Sequence, residues 1–116
     1  MKAIRKASEI LPAQFEKCHD GNGTLLCHSL LDGLGGTAFA FMHSDTMPKG
    51  VSIGVHMHDC NEEIYYLLSG KGVLTFDGKQ IEMAAGDISL CTVGHSHGFE
   101  ATEDCILIVV GSMPKL

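Results

Sequence analysis

Four of the seven histidines fall in two HxH pairs, His56-Met57-His58 and His95-Ser96-His97. Imidazole is the commonest side-chain ligand for transition metals, and two residues separated by one along a β-strand point to the same side of it. Glu63 follows five residues after His58. The intervening Asp59-Cys60-Asn61-Glu62 has the composition of a four-residue hairpin loop, which would set Glu63 directly opposite His58 and Tyr65, facing inward, opposite His56. Glu62 and Tyr66 have no such alignment, so Glu63 is the better ligand. The second pair follows Gly94 at the start of a later strand. Either His95 or His97 could complete a set of three nitrogens and one carboxylate, and spacing alone does not choose between them. Such a set suits Fe(II), Mn(II), Ni(II), Co(II) or Zn(II) and leaves positions open for a ligand.

Positioning these side chains requires strands. From Thr24 onward the chain reads as short β-branched or aromatic runs separated by glycine turns. The expected strands are 24–31, 37–43, 51–57, 63–68, 72–76, 80–83, 88–92, 97–102 and 106–110. Gly33 to Gly36, Ser69 to Gly72 and Asp77-Gly78 supply the turns. Ala13 to Lys17, after Pro12, has a helical look. The predicted organisation is a short N-terminal helical extension over 1–23 and one all-β domain over 24–116, either a sandwich or a barrel. Phe39, Phe41, Phe76 and Phe99 are expected in core packing, and His43 ends a strand with its facing open.

Composition narrows the function. The chain carries a formal net charge of -6 and a single arginine, Arg5, outside the histidine-rich region, so nucleic acid is a poor partner. No stretch is apolar for long enough to span a bilayer, the start does not read as a signal peptide, and a cytoplasmic location is expected. Five cysteines, at 18, 27, 60, 91 and 105, cannot all pair and include no CxxC. They are expected reduced and mostly buried, with Cys60 standing apart.

The two histidine pairs sit in motifs that resemble the cupin superfamily. Its first motif is glycine, five residues, HxH, three or four residues, glutamate, six residues and glycine. This sequence meets it throughout, with Gly50, VSIGV, His56-Met57-His58, DCNE, Glu63, IYYLLS and Gly70. The second motif is matched by Gly86, DISLC, Thr92, Val93, Gly94, His95-Ser96, His97, GFE and Ala101, where Thr92 replaces the family's proline and Ala101 its asparagine. Fifteen residues separate Gly70 from Gly86, the short spacing of single-domain cupins. The resemblance implies a double-stranded β-helix, or jelly-roll barrel, with one divalent transition metal per chain on His56, His58, Glu63 and His97. It thereby selects His97 over His95.

By the same resemblance the expected function is that of a metalloenzyme acting on a small organic molecule that chelates the metal, of dioxygenase, decarboxylase, lyase or isomerase type. The alternative is a non-catalytic module that binds or senses a small ligand or the metal. Manganese or iron is preferred, with nickel, cobalt or zinc as alternatives. Tyr65 and His95 are candidates for substrate contact or support of the ligands, and no residue receives a catalytic role. With no arginine in the strands, phosphosugars and dicarboxylates are poor guesses, and a small uncharged or monoanionic chelator is expected. A homodimer is expected, because the Thr24 to His43 hairpin has an apolar side that wants cover.

Overall fold

Along the last strand buried and half-buried residues alternate one for one from Cys105 to Ser112, the signature of a strand with one face on a core. The computed structural model, which describes residues 3–114, has ten strands. They are β1 (Pro12–Glu16), β2 (Thr24–Ser29), β3 (Phe39–Met47), β4 (Ser52–Met57), β5 (Glu63–Ser69), β6 (Lys71–Phe76), β7 (Lys79–Ala84), β8 (Ile88–Cys91), β9 (Ser96–Ala101) and β10 (Cys105–Ser112). The nine strands expected from Thr24 onward are all present, most with ends shifted by one or two residues; β3 and β10 run further, β3 continuing four residues beyond His43 to Met47.

The strands form two antiparallel sheets. One has the order β1-β2-β3-β10-β5-β8 and the other β4-β9-β6-β7. From β3 to β10 consecutive strands alternate between the sheets except at the β6–β7 hairpin, which is the jelly-roll double-stranded β-helix expected from the motifs. Leu25, Met47, Leu67, Leu107 and Val109 of the first sheet pack against Ile53, Leu74, Met83 and Phe99 of the second. The Asp77-Gly78 turn joins β6 to β7, with both residues at positive φ. No described helix is long and apolar enough to cross a membrane.

Three expectations change. Ala13 to Lys17 is not helical: Pro12–Glu16 is strand β1, paired with β2 from Pro12 opposite His28 to Glu16 opposite Thr24. Helical turns occur only as 3-10 turns at Ala7–Glu9 and Cys18–Asp20 on either side of it. Pairing to an existing sheet edge overrides the weak local preference of five residues. Second, Phe39 is 64% exposed and lies outside the core, whereas Phe99 is buried and Phe41 and Phe76 pack against it.

The third change concerns the loop after His58. β4 and β5 are not a hairpin, because β4 pairs with β9 while β5 pairs with β10 and β8. Residues 58–62 instead carry the chain from one sheet to the other. The cysteines are free, with Cys27, Cys91 and Cys105 buried, Cys18 half-buried and Cys60 exposed in that crossing loop.

Candidate metal centre

The arrangement of the histidines begins with a fault in strand pairing. Ile53 lies opposite Phe99 and His56 opposite His97, so three steps along β4 match two along β9. This β-bulge reverses the alternation of facing. Ile53 is buried, Val55 is 57% exposed, and His56 turns inward where an unbroken strand would have turned Val55 and Met57 inward. The bulged backbone presses on β9 at Gly98, where a Cβ would stand 2.9 Å from both the Ile53 carbonyl oxygen and the Val55 nitrogen. Only glycine fits that approach.

His58 lies just beyond β4. Its N–H donates to the His95 carbonyl at 3.0 Å, and its own carbonyl accepts from the Gly94 N–H at 2.7 Å. Glu63 comes from the opposite sheet, where it begins β5 between Gly111 of β10 and Cys91 of β8. One sheet therefore presents the imidazoles and the other the carboxylate. Glu63 Oε1 stands 3.0 Å from His97 Nε2 and 3.8 Å from His56 Nε2, and its Oε2 is 3.6 Å from His58 Nε2.

Two neighbours select the nitrogen that each ring presents. His56 Nδ1 is 2.8 Å from the Gly54 carbonyl oxygen, and His58 Nδ1 is 2.9 Å from Asn61 Oδ1. A ring that donates from Nδ1 keeps the lone pair on Nε2 for a metal. His56 Nε2 is buried with no hydrogen-bond partner, and His58 Nε2 lies 2.9 Å from His97 Nε2. Burial opposes the charge on Glu63, but the adjacent His56 and His97 outweigh it and hold the carboxyl down at about 2. Burial pushes His97 below its ordinary value despite Glu63, which keeps the ring neutral. One donor atom from each of the four residues lies within 4.8 Å of the others, so the group could hold a metal ion. The residues fit the cation that the motifs imply: a carboxylate, three imidazoles and an orphaned buried nitrogen converge on one point.

A cavity of about 330 Å³ opens beside this cluster, and His58, Glu63, Tyr65, Asn61, His43 and Asp45 are among the residues lining it. Tyr65 is inward as expected and fully buried. It does not face His56 across a hairpin; its ring stacks on His97 with centroids 4.0 Å apart and planes inclined by 10°. Its hydroxyl has no hydrogen-bond partner. His43, whose facing the sequence leaves open, lines the cavity and stacks on Phe41. His95 is not brought to the cluster. It sits half-exposed on the surface, its Nδ1 bonded to Asp77 and its ring on Phe76, because it belongs to the turn before β9, where the strand alternation that turns His97 inward does not hold.

Sequence reasoning misses three residues. His19 stacks on His56, centroids 3.7 Å apart and planes 13° from parallel. The turn that carries it lies against β4 so closely that a Cβ on Gly54 would fall 1.8 Å from the His19 carbonyl oxygen. Nothing local signals that contact, although Gly21-Asn22-Gly23 after an isolated histidine marks a tight turn. Asn61 was absorbed in the loop, and Asp45, in a β-prone run, carries no motif.

A sequence profile for the cupin domain matches residues 43–111. A protein of Thermotoga maritima named oxalate-binding protein is 34% identical over 101 residues, covering 85% of this chain and 83% of that one. The crystal structure of a predicted oxalate decarboxylase from Thermotoga maritima superposes with a TM-score of 0.81 at 30% identity, over 99% of this chain and 100% of that one. KdgF from a Halomonas species shares the fold at 17% identity, with a TM-score of 0.79 over 100% of this chain and 96% of that one.

Replacing Gly54 by alanine is expected to unseat the turn bearing His19 and to lower stability by about 1–3 kcal/mol, as overpacking does. Urea unfolding measures this, and an unchanged midpoint would mean that the turn does not rest on β4.

Proposed function

The chain belongs to the cupin family, and from that premise we propose that it holds one divalent transition metal on His56, His58, Glu63 and His97 and takes a small metal-chelating organic acid into the adjoining cavity. The observation that carries this reading is the convergence of the four donors beside a cavity that His58 and Glu63 line, wide enough for a small ligand. A metal bound there would polarise the ligand's oxygens and offset its negative charge. The chain's own residues orient and enclose. Gly54 and Asn61 hold two of the imidazoles in register, Tyr65 backs His97 and offers its hydroxyl, and Phe41 closes one side.

The want of arginine counted against dicarboxylates in general. The relative named for oxalate changes the weight for the smallest of them, since oxalate can chelate through one oxygen of each carboxylate and needs no separate cationic clamp. Oxalate, with related α-keto and α-hydroxy acids, is therefore the first ligand class to test. Turnover on the metal is the leading reading, of which decarboxylation of oxalate to formate and carbon dioxide, with uptake of one proton, is the simplest form. The relative's name specifies binding, which supports a non-catalytic module as the second reading.

The free edge of the six-stranded sheet supports a homodimer. β1 is the outermost strand of a six-stranded sheet that faces one of four, and Phe15, opposite the core residue Leu25, remains half-exposed. A second copy of the chain could cover this overhang.

Elemental analysis is expected to find close to one equivalent of transition metal per chain, and a His97→Ala variant should lose most of it. Acid should release the metal as pH falls through about 6 to 6.5, because the imidazoles must be neutral to ligate while Glu63 stays ionised to about 2. Full retention after dialysis near pH 4.5 would argue against imidazole ligands.

Calorimetric titration of manganese-loaded protein should detect oxalate and not a phosphosugar. Formate in the product mixture would establish turnover, oxalate binding without formate would favour the binding module, and no binding of any chelator would refute the proposed ligand class. For the dimer, light scattering should return about twice the 12.4 kDa chain mass at micromolar concentration, and a monomer would exclude it.

A further inference from the structure

The cavity contains a second carboxylate that the metal centre does not use. Asp45, on β3, is 3% exposed, and its neighbours in register are Cys27 of β2 and Leu107 of β10. It lines the cavity together with His58, Glu63 and Tyr65, and its Oδ1 is buried with no hydrogen-bond partner. The nearest basic atom, His43 Nδ1, is 3.8 Å from that oxygen, too far for a hydrogen bond. Among the described residues no lysine or arginine lines the cavity. An ionised carboxylate left in such a place would carry a desolvation penalty of several kcal/mol.

Other charges around Asp45 do not relieve it. Burial pushes its carboxyl up, offset in part by His43, by the Cys27 thiol beside it and by His28, while Glu63 on β5 adds to the rise. Cys18, on the turn before β2, faces the same region, and β10 contributes only apolar Leu107 and Val109. Cys27 itself is driven up to about 12 by burial and by Asp45, and it remains a thiol. The group that reaches the cavity from β3 is therefore a buried carboxyl whose ionised form is disfavoured and whose Oδ1 is unused.

Resting on the proposal that a chelating acid binds the metal, we propose that Asp45 recognises the end of that ligand that the metal does not hold, donating a hydrogen bond from its carboxyl to a carboxylate or carbonyl oxygen. Oxalate chelating through one oxygen of each carboxylate leaves two oxygens directed away from the ion, and the cavity holds two buried, unpartnered oxygen-bearing groups to meet them, Tyr65 Oη and Asp45 Oδ1. Neutral donors replace the arginine that the sequence lacks. Specificity follows: an acid with acceptor oxygens at its far end fits, and a monodentate ligand with an apolar end leaves Asp45 unpaired.

The test compares Asp45→Asn with Asp45→Leu in manganese-loaded protein. Asparagine keeps a donor of the same shape, so its oxalate Kd should stay within about threefold of wild type, whereas leucine should weaken binding by about 10–100-fold, the range for a lost hydrogen bond to a charged group. Metal content should be the same in all three proteins.

A second measurement needs no ligand. Because folding raises the Asp45 pKa, its contribution to stability is present below the unfolded carboxyl range and is lost as pH rises through the folded value. Metal-free Asp45→Asn should therefore melt higher than wild type at pH 7, by about 2–5 °C.

A leucine variant that binds oxalate as wild type does, or an asparagine variant that loses as much as leucine or melts lower than wild type, overturns the role of Asp45 and leaves the metal reading standing. Metal-loaded wild type that binds no chelator overturns both. Cys27, His43 and Asp45 also present donor atoms within 4.8 Å of one another, so loss of a second metal equivalent in Asp45→Leu would reassign the cluster to a cation and overturn the proposal.

Discussion

Glu63 must cross from one sheet to meet three imidazoles of the other inside an otherwise apolar core. Bringing an ionised carboxylate and three rings out of water is costly unless each finds a partner, and within the chain their partners are chiefly one another. His97 is fully buried and His58 and Glu63 nearly so, yet His56 Nε2 and His97 Nδ1 remain unsatisfied. The region is thus destabilised as an apolar core, and a bound cation would complete it. A divalent ion bound at this point would tie the two sheets together as well as supply chemistry.

Much of the local irregularity serves that meeting. The bulge in β4 exchanges an inward valine for an inward histidine, and Gly98 admits the bulged backbone. Gly54 is used twice: its carbonyl orients His56, and its missing side chain lets the 18–20 turn lay His19 on the other face of the same ring. The loop from His58 to Glu63 is short for a crossing between sheets, and Asn61 within it both supports His58 and reaches the Ser112 carbonyl on β10. Each device fixes a ring direction that the strand pleat alone would not supply.

The chemistry of the cavity follows from what is missing in it. With no lysine or arginine among the described residues on its walls, attraction for an anion would come from a bound metal, and discrimination from groups such as Tyr65 and the carboxyl of Asp45. A site of that kind would favour small chelating acids over phosphate esters, whose charge is spread beyond the reach of a single ion. Phe41, lying over Gly111 beside Glu63, keeps one wall apolar and raises the strength of every polar contact made inside.

By itself the sequence determined the nine strands from Thr24 onward, the turns, the family and the four residues whose donor atoms converge, because period-two patterning, glycine punctuation and HxH spacing are local properties that survive in one dimension. Even the choice of His97 over His95 was legible, through the motif. Tertiary structure alone decided how the donors meet. The DCNE loop had every mark of a hairpin, but whether a strand returns to its neighbour or crosses to the facing sheet depends on pairing with β9 and β10, forty or more residues away. The same holds for β1, whose five residues look helical until a sheet edge is offered to them. His19, Asn61 and Asp45 carry no pattern at all. Their roles come from packing against a bulge, a ring and a cavity, and those exist only once distant segments have been brought together.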